Sequence, residues 1–160
     1  MAGTKAKSSG RRSRRQTATK RRNVATSTAR RQTKPRQRFV VSHHREEDFE
    51  GGLRRYAKYR DLGIARATNG MMRAHVIRFV PPCRPEEVSK RHYHDVDFQM
   101  VYVLKGWIKT ELDGQGAIVM RAGSAWIQPP RIEHVVLDYS NDCEVLEVIL
   151  PADFATVELE

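Results

Sequence analysis

No stretch of this 160-residue chain is apolar for long enough to span a membrane, and none has the pattern of a secretory leader. A cytoplasmic protein is expected. Cysteine is scarce: Cys83 and Cys143 stand 60 residues apart, with no Cys-x-x-Cys pair. This argues for two reduced packing thiols and against a disulfide framework. No amphipathic helix of any length is evident. Nor is there a helix-turn-helix pattern, which counts against a sequence-specific regulator of DNA.

Acids are missing from residues 1–38, which hold 14 of the 29 Lys and Arg. The net charge of +10 therefore misleads. Residues 39–160 hold 15 basic and 19 acidic residues, a balance of 15 − 19 = −4. Val24 is the only branched aliphatic residue before Phe39. Arg14-Arg-Gln-Thr17 recurs as Arg30-Arg-Gln-Thr33, a compositional bias rather than a structural repeat. Such a segment cannot bury enough surface to offset its ordering entropy, so a disordered basic tail is predicted over 1–38 and a domain over 39–160. Three roles fit the tail. Its cations suit weak, non-specific contact with nucleic acid, although no aromatic interleaves to stack on bases. It resembles a transit peptide in composition but lacks an apolar face. It also fits sequence lying ahead of the start of the protein proper.

From Phe39 onward the chain reads as many short strands. Phe39-Val-Val41 is a short apolar run, and Leu53–Ile64 alternates loosely. Ala74–Val80 is a strand stopped by Pro81-Pro82, and Arg84–Lys90 reads as a polar loop. Phe98–Leu104, the hairpin Trp107–Leu112 with Ala117–Met120, His134–Tyr139 and Glu144–Leu150 complete the set, with Pro151 ending the last strand. Short strands punctuated by Gly, Pro and Asn/Asp predict an all-β sandwich or jelly-roll barrel.

Chemistry concentrates between His92 and His134. His92 and His94, two apart on an extended chain, share a face. His134 heads another alternating run 40 residues later. Three imidazoles and an amide oxygen that converged would make a neutral pocket for a divalent metal. His43-His44 would face opposite ways on a strand and reads as an exposed loop. His75 reads as a core or face histidine rather than a ligand. Gln99 is one residue out of step with His94, so a turn at Asp95–Asp97 must reset the phase. Gln99 inward takes Val101 and Val103 with it and leaves Met100, Tyr102 and Leu104 outward. His134 inward takes Ile132, Val136 and Asp138, leaving Val135, Leu137 and Tyr139 outward. Two outward apolar faces predict a homodimer.

The same residues resemble the two motifs of the cupin superfamily. His92-x-His94, four residues, Gln99, six residues and Gly106 match the first. Gly123, five residues, Pro129, Arg131, His134 and Asp138 match the second. The departures are Glu86 for glycine, Gln99 for glutamate, Arg131 for glycine and Asp138 for asparagine. The resemblance spans roughly residues 70–150 and implies a double-stranded β-helix, the jelly-roll cupin barrel. It implies His92, His94, Gln99 and His134 as ligands of one divalent metal, of a kind imidazole suits: Zn, Fe, Ni, Cu or Mn. Asp138, on the face of His134, is a candidate to orient a neighbouring group. A glutamine ligand leaves the metal its full charge as a Lewis acid. This set is similar to that of cupins in pectin and alginate breakdown, which implies isomerisation or tautomerisation of a small oxygenated acid or sugar derivative. A cupin-type dioxygenase and a non-enzymatic ligand-binding cupin are the alternatives. The motifs name no general acid or base.

Overall fold

The computed structural model describes Gly3 and residues 36–159, except Leu53 and Ser89. The disordered tail predicted over 1–38 lies outside the described residues, apart from Gly3 and 36–38. The Arg38 N–H donates to the Ala67 carbonyl at 2.8 Å, so the folded body takes in residues just before Phe39.

Eleven strands form two antiparallel sheets among the described residues. They are β1 (Glu50–Gly51), β2 (Ala57–Asp61), β3 (Arg73–Phe79), β4 (His92–Asp95), β5 (Phe98–Lys105), β6 (Trp107–Leu112), β7 (Gly116–Arg121), β8 (Ala125–Ile127), β9 (His134–Tyr139), β10 (Glu144–Leu150) and β11 (Ala155–Glu158). One sheet runs β1-β2-β3-β10-β5-β8 and the other β11-β4-β9-β6-β7. This is the predicted all-β jelly roll. Alternation decides what fills it. On β5, Gln99, Val101 and Val103 are buried while Tyr102 and Leu104 are exposed. On β6, Ile108, Thr110 and Leu112 are buried. Val101, Val103, Ile108, Tyr139, Cys143 and Val145 belong to one core cluster, joined by Tyr56 and Phe79.

Gly106 ends β5 with φ +67°, a left-handed conformation that glycine adopts without penalty. A Cβ there would collide with the Ser140 side chain. That crowding explains the glycine at this motif position. Arg131 takes φ +62° where the second motif has glycine. Its guanidinium lies 4.7 Å from the Tyr93 ring centre and donates to the Tyr93 hydroxyl at 2.9 Å.

Several boundaries differ from the sequence reading. Leu53–Ile64 is not one strand: β2 stops at Asp61, and a short helix α1 (Ile64–Ala67) follows Gly63, which has φ +73°. Arg84–Lys90 contains a helical turn, α2 (Pro85–Val88), which buries Val88 completely. Phe39 and Val41 stay exposed and outside any strand. The chain re-enters a sheet after Pro151, as β11 against β4.

The alternation along β9 also breaks. Lys109 pairs with Asp138 but Thr110 pairs with Val136, so Leu137 is an extra residue in a β-bulge. The bulge reverses the phase beyond it. Tyr139, expected outward, is 3% exposed in the core, and Asp138, expected inward beside His134, faces solvent.

Candidate metal centre

Strand β4 carries His92 and His94, and β9 brings His134 to pair with His92. The three rings lie with centres 4.3 to 5.1 Å apart. One ring nitrogen from each lies within 4.8 Å of the others, so the trio is able to hold a metal ion. Among the predicted ligands, the structure therefore brings these three together.

Hydrogen bonds fix which nitrogen each ring offers. His92 Nδ1 is 2.8 Å from the Lys90 carbonyl, and His134 Nδ1 is 3.0 Å from the Ile132 carbonyl. A carbonyl accepts and never donates, so both Nδ1 atoms carry the proton and both Nε2 atoms keep a lone pair. His94 Nδ1 meets the Thr156 hydroxyl of β11 at 2.9 Å, which suits the same tautomer. Oxygen partners on the far nitrogen are the usual support for metal-binding histidine. Burial pushes His92 and His94 down to about 4 and holds His134 below its ordinary range. All three are neutral donors at pH 7.

Gln99 is 2% exposed, and its amide Nε2 donates to Glu147 Oε1 at 2.6 Å. His75 Nε2 sits 2.6 Å from Glu147 Oε2. Burial alone would raise the Glu147 carboxyl, but the bonds from His75 and Gln99 and the nearby His94 together hold it below its ordinary range. The ionised carboxylate only accepts, which orients the Gln99 amide with its nitrogen toward Glu147 and its oxygen away from it. Cross-strand register sets this up, because Glu147 pairs with His75 on one side and Val101 on the other. His75 is thus a face histidine with a specific partner.

Glu147 and Gln128 were not singled out from sequence. Gln128 Nε2 donates to His134 Nε2 at 3.1 Å, while its oxygen accepts from the Trp126 indole at 3.2 Å. It occupies the lone pair that a cation would use, so it must turn aside for His134 to become a ligand. Glu147 did leave a signal: it is the one acid in the apolar run Val145–Leu150. Asp138 does not reach the cluster. It accepts from its own neighbour, the Tyr139 N–H, at 2.8 Å, on the outer side of the bulge.

The histidines open into a cavity of about 830 Å³ between the sheets, lined also by Glu147, Trp126, Tyr59, Arg54 and Phe154. A ligand-sized chamber where apolar walls meet convergent polar groups is the usual form of a small-molecule site.

Fold and site together define a jelly-roll barrel with a histidine-lined interior. Residues 83–149 match the family model described as Cupin domain, which supports membership of the cupin superfamily. Solved structures agree on the fold. KdgF from Halomonas sp. aligns with TM-score 0.55 and 18% identity over 70% of this chain and 96% of its own. The polyketide cyclase RemF from Streptomyces resistomycificus gives 0.56 and 18% over 76% and 88%. A formate complex of oxalate decarboxylase from Lactobacillus farciminis gives 0.55 and 14% over 71% of this chain but 34% of that enzyme. At these identities the likeness is one of fold. No curated protein matches the sequence.

Proposed function

We propose that this cupin is a metal-dependent enzyme acting on a small oxygenated acid or sugar derivative, in an isomerase- or tautomerase-like reaction. The observation that carries the reading is the convergence of three neutral imidazoles whose Nδ1 protons are tied to oxygen partners. His92, His94 and His134 would hold a divalent cation through Nε2, with the amide oxygen of Gln99 as the fourth donor. When bound, such a cation supplies Lewis acidity toward a carbonyl or carboxylate oxygen.

The rest of the chemistry falls to side chains of this chain. Glu147 is ionised against the same cluster, and each of its oxygens retains a lone pair beyond its bond to His75 or Gln99. Glu147 is the group that takes a proton from a ligand hydroxyl and returns it to carbon as the enol becomes the ketone. His75 and the Gln99 amide keep its carboxylate oriented. The cavity wall of Trp126, Tyr59 and Phe154 limits water around the ligand.

A direct test follows the full-length metal-loaded protein with an unsaturated uronate, whose enol absorption disappears on conversion to the linear keto acid. Glu147→Gln is expected to retain metal and lose conversion by at least about 100-fold, the usual scale of a proton-transfer group. Conversion undiminished in that variant would contradict the assignment of Glu147.

The neutral Gln99 favours this reading over oxygenolytic cleavage, because the carboxylate usual in cupin dioxygenases is absent from the donor set. Two free thiols, Cys83 and Cys143, support a cytoplasmic location, and no helix of the described residues is long and apolar enough to cross a membrane. Tyr102, Leu104 and Ile127 expose a continuous apolar strip on β5 and its neighbour β8, which supports a homodimer through this face. The basic residues of 1–38 support weak contact with nucleic acid, expected to vanish from gel shifts of the full chain as salt rises.

A further inference from the structure

Arg54 lies just before β2 and lines the same cavity as the histidines. Its side chain is 11% exposed. Nη1 donates to Glu158 of β11, tying the edges of the two sheets together. Nη2 is buried, and nothing among the described residues accepts its hydrogens. A buried guanidinium donor without an acceptor is rare and unfavourable. It is most simply answered by a group that arrives with the ligand.

The acids that share the lining do not answer it. Glu147 is engaged by His75 and Gln99. Asp61 accepts from the Gly63 N–H at 2.9 Å. Asp48 and Glu50 are exposed. Arg54 and the three histidines line one cavity, so they face one bound molecule rather than two.

We infer that Arg54 is a specificity-determining residue whose Nη2 receives a carboxylate of the ligand, with Glu158 holding the guanidinium in place. The inference rests on the reading of the cavity as a small-acid site, and it names the group by which that acid is selected. Glu158 already takes one arm of the fork. The remaining arm matches a single carboxylate oxygen.

The test titrates the full-length protein, with its metal content measured in parallel, against D-galacturonate and the neutral D-galactose. Wild type is expected to bind the acid at least about tenfold more tightly than the neutral sugar. Arg54→Gln is expected to bind both equally while its metal content stays unchanged. Should that variant fail to fold, Arg54→Met gives the second arm: it keeps the apolar stem without a donor or charge, and the preference is again lost. A preference that survives in either folded variant would overturn the inference, as would its absence in wild type. If Arg54 only ties the sheets, melting falls with the preference intact, which also overturns it. Loss of metal with an Arg54-dependent preference retained would sink the metal reading and leave this one standing.

Discussion

Exchanging Gln99 for the glutamate usual in cupins is expected to destabilise this chain rather than restore a better ligand. The reason is Glu147, which meets the Gln99 amide nitrogen at 2.6 Å in the interior. Gln99→Glu sets two carboxylates at that separation. With an effective dielectric of about 20, their repulsion is about 6 kcal/mol. The charge-assisted hydrogen bond lost with it was worth about 1.5–3 kcal/mol. Small shifts of the side chains and uptake of a shared proton relieve part of this, leaving a net loss of about 3 kcal/mol near pH 7.5. For a chain of this length that lowers the melting temperature by about 6–12 °C. The assay is thermal melting in chelator at pH 7.5 and pH 5. The gap from wild type narrows at pH 5, where the pair holds its shared proton. The double variant Gln99→Glu with Glu147→Gln restores one carboxylate and one amide, so it melts near wild type. A Gln99→Glu protein melting within about 1 °C of wild type at pH 7.5 would refute the reasoning.

Three further outcomes follow from the geometry. Without metal, stability falls as pH drops from 6.5 toward 4, because the unfolded histidines take protons there while His92 and His94, held down to about 4, do not. Each contributes a loss of about 3 kcal/mol that levels off below pH 4, and denaturant melts across that range would contradict this by staying flat. Gly106→Ala places a Cβ against Ser140 at φ +67° and is expected to cost about 2–4 kcal/mol by urea unfolding; a change below about 0.5 kcal/mol would show the turn relaxes freely. Ile127→Lys puts a charge in the exposed strip of β5 and β8 and tests the proposed homodimer, with light scattering expected to give a dimer for wild type and a monomer for the variant. An unchanged dimer places the interface elsewhere.

Much of the site was legible because strand alternation is a rigid rule. His92 and His94 share a face, and the chain turns between Asp95 and Phe98 as the phase of Gln99 demanded. Val101 and Val103 follow Gln99 inward. The same rule failed on β9, because one extra residue at Leu137 sends Asp138 to solvent and Tyr139 to the core. A bulge leaves no mark in hydrophobic pattern until its partner strand is known. The pairing of Glu147 with His75 was hidden for a similar reason: they stand 72 residues apart, and pairing between β3 and β10 alone makes them neighbours. Arg54 sits in a stretch that alternates only loosely, and its meaning depends on Glu158, 104 residues further on. Strand β11 is four residues long, too short to stand out after Pro151.

The most direct measurement is elemental analysis of the full-length protein after reconstitution with divalent metals, beside His134→Ala treated alike. The account predicts about one ion per chain in the first and a large loss in the second, with both folded by circular dichroism. A folded wild type that holds no metal, or a His134→Ala variant that holds as much as wild type, would contradict it.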